Sequence, residues 1–124
     1  MARATVPAVS PFAAAVGYSR AVRDGRHVYV AGTAPVGAKS ADAYEQAKRC
    51  LAIIVEALSE LGAGPEDVVR TRVYLVDAAD WEVVGRAHGE VFAQHPPASA
   101  MLVIKGLLDP SWKVEIEADA LLPE

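Results

Sequence analysis

From Lys113 to Leu121 polar and apolar side chains alternate: Val114, Ile116, Ala118 and Ala120 fall on one side, Lys113, Glu115, Glu117 and Asp119 on the other. A period of two predicts a strand with one apolar and one polar face. Ahead of it, Ala98 to Lys105 reads as another strand, and Gly106, Asp109 and Pro110 between the two supply turn chemistry. The clearest helix lies earlier. Tyr44, Ala47, Leu51, Ile54, Leu58 and Leu61 recur at spacings of three and four and make one apolar stripe. Asp42, with Glu45 three residues on, opens this helix like a capping box, and Gly62 closes it. Burying its large side chains contributes ~1.5–3 kcal/mol each, so Leu58→Asp is expected to break the fold.

The same reading gives a strand over Ser19 to Val22, a hairpin turn at Asp24-Gly25 and a returning strand over His27 to Gly32. Val28 and Val30 share one face of that strand and Tyr29 takes the other. Val68 to Asp77 is a further strand, with Val69, Thr71, Val73 and Leu75 against Arg70, Arg72 and Tyr74. A second helix is expected over Ala79 to Gln94, capped by Asp80 and burying Trp81, Val84, His88, Val91 and Phe92; Pro96-Pro97 forbids its continuation. Residues 1–16 are ambiguous and leave room for one short strand. The order β-β-α-β-α-β-β is an α+β domain in which two helices cover one face of a sheet. Arg70, Arg72, Tyr74, Glu115, Glu117 and Asp119 fall on the other face. Its carboxylates need solvent, basic neighbours or a chemical role, and opposite charges on different strands suit a subunit interface.

At 124 residues the chain is one domain, 1–124. A net charge of −4 and a pI near 5.3 argue against a nucleic-acid binder held by a basic surface. The apolar share, 52%, is high, yet no run approaches the roughly 20 residues of a membrane span. The excess favours an oligomer. Cys50 is the single cysteine, so no intrachain disulfide forms and a reducing, cytoplasmic setting is expected. Pro7, Ser10 and Pro11 interrupt the apolar start and argue against a secretory leader.

Candidate chemistry is sparse. His27, His88 and His95 sit on different elements and no H-x-x-x-H, H-E-x-x-H or C-x-x-C occurs, so no metal is expected. The glycines form no phosphate cradle, and no cofactor is implied. Cys50 and His88 read as packing groups, Trp81 and Trp112 as packing or interface aromatics. Glu115 or Glu117 suits a general base holding a water; spacing alone favours the plainer alternative, a polar face paired with Arg70 and Arg72.

Several segments together carry a resemblance. V-G-Y-S-R-A-V-R-D-G-R-H-V-Y-V-A-G-T-A-P is similar to the G-P-Y-S-Q-A-V … V-Y-V-S-G-Q-x-P of the Rid/YjgF family, the reactive-intermediate deaminases once described as L-PSP endoribonucleases. D-V-V-R-T-R-V-Y-L-V-D resembles that family's D-V-V-K-T-x-V-Y-L-x-D, and K-V-E-I-E-A its closing signature. The resemblance implies a chorismate-mutase-like α+β fold, a homotrimer with a barrel-like core, and ligand clefts between subunits. It implies hydrolysis of reactive imines and enamines such as 2-aminoacrylate, with Tyr18 and Glu115 as catalytic positions and Gly32 among the substrate-binding ones. The family's carboxylate-gripping arginine, in P-A-R-S, falls on Ser99, and a frequent cysteine falls on Met101. A serine offers one neutral donor where a guanidinium offers two parallel charged ones, a difference of ~2–4 kcal/mol toward a carboxylate. A substrate other than the usual 2-imino acid is therefore expected. Arg72 is the candidate replacement cation; alternatively it pairs with Glu117 or Asp119. The short H-P-P-A link ahead of Ser99 also departs from the family pattern. The alternative to an enzyme is a non-catalytic trimeric metabolite-binding or regulatory protein; acidity and the lack of paired histidines make a ribonuclease the least favoured reading.

Overall fold

The computed structural model describes residues 3–38 and 41–124. The chain runs β1 (Ala4–Pro7), α1 (Ala13–Val16), β2 (Ser19–Asp24), β3 (His27–Thr33), α2 (Ala43–Glu60), β4 (Val68–Leu75), α3 (Trp81–Phe92), β5 (Ala98–Val103) and β6 (Val114–Leu121). Among the described residues the strands form one sheet in the order β1-β2-β3-β6-β4-β5. β4 and β5 run parallel, with α3 as their crossover; the other neighbouring pairs are antiparallel. The fold is α+β with a mixed sheet.

The alternation of β6 is realised in full. Val114, Ile116, Ala118 and Ala120 are buried in one core with Ala47, Cys50, Leu51, Ile54 and Leu58 of α2 and Val84, Ala87 and Phe92 of α3. The Asp42 side chain accepts from the Glu45 backbone N–H at 2.9 Å and starts α2. Gly62, at φ +80°, ends it in the left-handed conformation. Arg23 of β2 donates to the Leu61 carbonyl at 2.9 Å, so the hairpin is bolted to the end of α2. Gln46 is buried on the first turns of α2. Its Nε2 donates to the Ala41 and Ser111 carbonyls at 3.2 and 3.0 Å, and its Oε1 accepts from the Lys113 N–H at 2.7 Å. The backbone on both sides of Trp112 is thereby held to the helix.

Five sequence expectations need correction. Val69 does not share the face of Thr71 and Val73. Val68 pairs with Ala120 and Arg70 with the adjacent Asp119, so Val69 is an extra residue in the strand, 50% exposed, and Val68 takes the core position. The hairpin turn is Gly25-Arg26, because Asp24 and His27 are already paired. The second helix is shorter than expected: a 3₁₀ turn over Ala78–Asp80 precedes α3. Asp80 is itself helical and makes no cap; Asp77 accepts from the Ala79 N–H instead, at 2.9 Å. Trp81 stands outward, 59% exposed. The short strand for which residues 1–16 left room is β1, an edge strand against β2.

The strands on either side of the Gly106–Pro110 turn are not spatial neighbours, because β4 lies between them. The face opposite the helices carries Tyr29, Arg72, Tyr74, Glu115, Glu117 and Asp119 in half-buried or exposed positions, and every residue of β5 is exposed. Among the described residues no helix is long and apolar enough to cross a membrane.

Candidate functional site

The site is built around a break in β3. Val30 pairs with Ala118 and Thr33 with Ile116, so Ala31 and Gly32 step out of register. Glu115, the β6 residue next to Ile116, fills the space this leaves over Gly32: a methyl group on Gly32 would lie 2.7 Å from Glu115 Oε2. The close approach needs a residue without a Cβ.

From the other side Arg20 of β2 reaches Gly32. Its Nη2 donates to the Gly32 carbonyl at 2.6 Å, and its guanidinium carbon lies 5.9 Å from the centre of the Tyr18 ring. Gly17, at φ +85°, ends α1 and turns the chain so that Tyr18 enters this corner. Tyr18, Arg20, Gly32 and Glu115 border one cavity of about 340 Å³. Its remaining wall is largely apolar, with Phe12 set edge-on to Trp112 at 6.0 Å and Leu108 and Val16 nearby.

The electrostatics follow from this enclosure. Burial pushes the Glu115 carboxyl above the usual carboxylate range; Arg20 pulls it back down, and the Glu117 carboxylate adds to the rise. Burial also works against the Arg20 charge, with Tyr18 and Glu115 opposing that effect. A carboxylate made more basic by desolvation, in a cavity with a phenol and a cation, can take a proton from a water molecule. The Cys50 thiol is pushed up by burial, and secondarily by Glu115, and is an inert core group.

Tyr18, Gly32 and Glu115 are thus brought together within one chain. Ser99, Met101 and Arg72 do not border this cavity. Ser99 and Met101 lie on β5, two strands from β6. Ser99 Oγ accepts from Thr71 Oγ1 at 2.8 Å, and Thr71 Oγ1 contacts His88 Nε2 at 2.8 Å. Arg72 Nη1 faces Asp119 at 3.7 Å and Glu117 at 3.9 Å, while Tyr74 Oη donates to Glu117 Oε1. Among the described residues no cluster of three metal-ligating side chains is gathered.

Sequence reasoning passed over Arg20. Its signal was present: the quoted family segment has Gln where this chain has Arg in Y-S-R-A-V. Leu108 and Phe12 were also missed, since both sit outside regular strands and long helices.

Comparison with known proteins agrees with this architecture. The family model for endoribonuclease L-PSP matches residues 8–122. The chain belongs to the L-PSP endoribonuclease (YjgF) family. An uncharacterised protein of Streptomyces coelicolor is 40% identical over 115 residues, 90% of this chain and 86% of that one. A RutC family protein of Haemophilus influenzae is 33% identical over 88 residues, 71% of this chain and 76% of its own. The crystal structure of a YjgF/YER057c/UK114 family member from Mycobacterium tuberculosis superposes with a TM-score of 0.91 at 43% identity, covering 98% of this chain and 100% of that one. Every residue bordering the cavity lies inside the L-PSP match.

Proposed function

We propose that the protein is a small-molecule enzyme of the YjgF family that hydrolyses or tautomerises a reactive imine or enamine in a cleft between subunits of a homotrimer. The observation that carries this reading is the Glu115 carboxyl, half-buried against Gly32 and made more basic by burial, beside Tyr18 in a cavity. In the hydrolytic form, Glu115 takes a proton from water as the water oxygen bonds to the C=N carbon. The nitrogen takes that proton from Glu115, giving a carbinolamine; the carbinolamine hydroxyl then passes its proton through Glu115 to the nitrogen as the C–N bond breaks, so that ammonia leaves and a carbonyl remains. Tyr18 orients the substrate, and Ser99 and Met101 of a neighbouring subunit complete the cleft. The exposed apolar side chains Met101, Leu102 and Val103 of β5 support an assembly that covers them. Because Ser99 replaces the clamping arginine, the substrate differs from the usual 2-imino acid.

The test generates 2-aminoacrylate in situ and follows its decay and keto-acid formation with wild type, Glu115→Gln and Ser99→Arg. Activity in wild type or in Ser99→Arg that Glu115→Gln abolishes supports the enzyme; inertness of both ends this reading for that substrate class. A second reading is a metabolite-binding or regulatory trimer without chemistry. It is favoured by the engagement of Arg72 with Glu117 and Asp119, which occupies the replacement cation, and it predicts saturable ligand binding with no product.

A further inference from the structure

We propose that Arg20 makes the cavity beside Glu115 an anion site, and that its ligand is a small carboxylate carrying an apolar body. The argument begins with unused hydrogen-bonding capacity. A guanidinium has five N–H donors. Among the described residues Arg20 makes one hydrogen bond, from Nη2 to the Gly32 carbonyl, and its buried Nε has no partner. No carboxylate of the described residues comes within 4.0 Å of it. The side chain is only 4% exposed, so bulk water is a poor substitute. Buried charges are ordinarily paired, and this one stands on the wall of a cavity with room for a partner.

Arg20 also borders a second, smaller cavity of about 190 Å³, and room and the number of acids separate the two. The smaller one sets two carboxylates, Glu56 and Glu60, against Arg49 and Arg20, so its cations already have acids to match them and it leaves an anion less room. The larger one holds Glu115 as its single acid, and burial there already opposes the carboxylate charge. The planar fork of arginine matches the two oxygens of a carboxylate, and the walls formed by Phe12, Val16, Leu108 and Trp112 match an aromatic or branched body. The anion is thus held from the floor of the cavity by the same chain that supplies Glu115, with no contribution from position 99. This inference rests on the cavity being the ligand site, and not on any reaction there.

Phenylacetate and phenylacetamide are matched probes, alike in shape and different in charge. Titration calorimetry on the wild-type protein is expected to give about tenfold tighter binding of the carboxylate. NMR is expected to show the Trp112 indole resonance moving with either probe and the Arg20 Nε–H resonance moving with phenylacetate alone. Arg20→Gln is expected to bring the two probes within about twofold of each other, and Arg20→Lys, which keeps the charge and loses the fork, to fall between. Equal affinity of wild type for the two probes, or binding of neither, overturns the proposal without any variant having to fold. A preference that survives Arg20→Gln overturns it as well. The outcome separates from that of the enzyme reading. A carboxylate preference in a protein that turns over nothing leaves the anion site standing, and turnover without the preference removes the anion site alone.

Discussion

Glu115 rests on Gly32 so closely that a single methyl group at residue 32 would meet its Oε2 at 2.7 Å. The atom in the way is the free end of a flexible side chain, and Gly32 does not use a left-handed backbone. Gly32→Ala is therefore expected to leave the fold within about 1 kcal/mol of wild type by chemical denaturation, while the Glu115 carboxyl resonance shifts and any turnover falls. A large drop in stability with an unmoved Glu115 resonance would contradict this geometry.

Glu115 also makes stability depend on pH in an unusual direction. Its folded value is raised by burial, so between the ordinary glutamate value of about 4.3 and the raised one the folded chain holds more protons than the unfolded chain. Stability then falls as pH rises through that window, and the loss persists above it. Glu115→Gln removes the loss. The variant is expected to melt higher than wild type at neutral pH and to converge with it near the lower end of the window. Thermal melts across that range test the sign.

His88 acts in the opposite sense. Burial lowers its value, so the unfolded chain takes up a proton first as pH drops through about 6.5, and stability is lost progressively down to the lowered folded value. His88→Gln is expected to flatten that limb. Thr71→Val, which removes the buried hydroxyl linking His88 to the exposed Ser99, is expected to cost about 1–3 kcal/mol at neutral pH.

Arg72 offers a contrast with Arg20. Its two carboxylate contacts are long and partly exposed to solvent, so Arg72→Ala is expected to cost less than about 1 kcal/mol of chain stability. Leu58 has no exposed surface in the core under β6; Leu58→Ala is expected to cost ~2–5 kcal/mol. Urea unfolding of the two variants side by side measures the difference.

The regular parts of the molecule were legible from the chain alone. The alternation of β6 and the stripe of α2 are periodic, and both elements formed where the pattern put them. Periodicity failed where a strand broke step. One extra residue at Val69 reversed the faces of the start of β4, and the step at Ala31-Gly32 created the corner that Glu115 fills. Asp77 and Asp80 are equally good caps by composition, so only the 3₁₀ turn between them decides which one is used. Arg20 escaped notice because it and Ala21 are both buried as consecutive residues of one strand, opposite the irregularity at Pro7 of β1; strict alternation assigns one of such a pair to the surface. Strand alternation offered Glu115 and Glu117 alike as candidate bases, and only the family resemblance pointed to Tyr18 and to Glu115 over its neighbour, since their local spacing is that of an ordinary polar face.

Gln46 gives the cavity a distant gauge. By clasping the backbone at Ser111 and Lys113 it makes Trp112 and the opening turns of α2 one mechanical unit. A guest that steadies Trp112 is then felt on the opposite side of the sheet. Slower amide exchange at the start of α2 would register occupancy without any reporter group in the cavity itself.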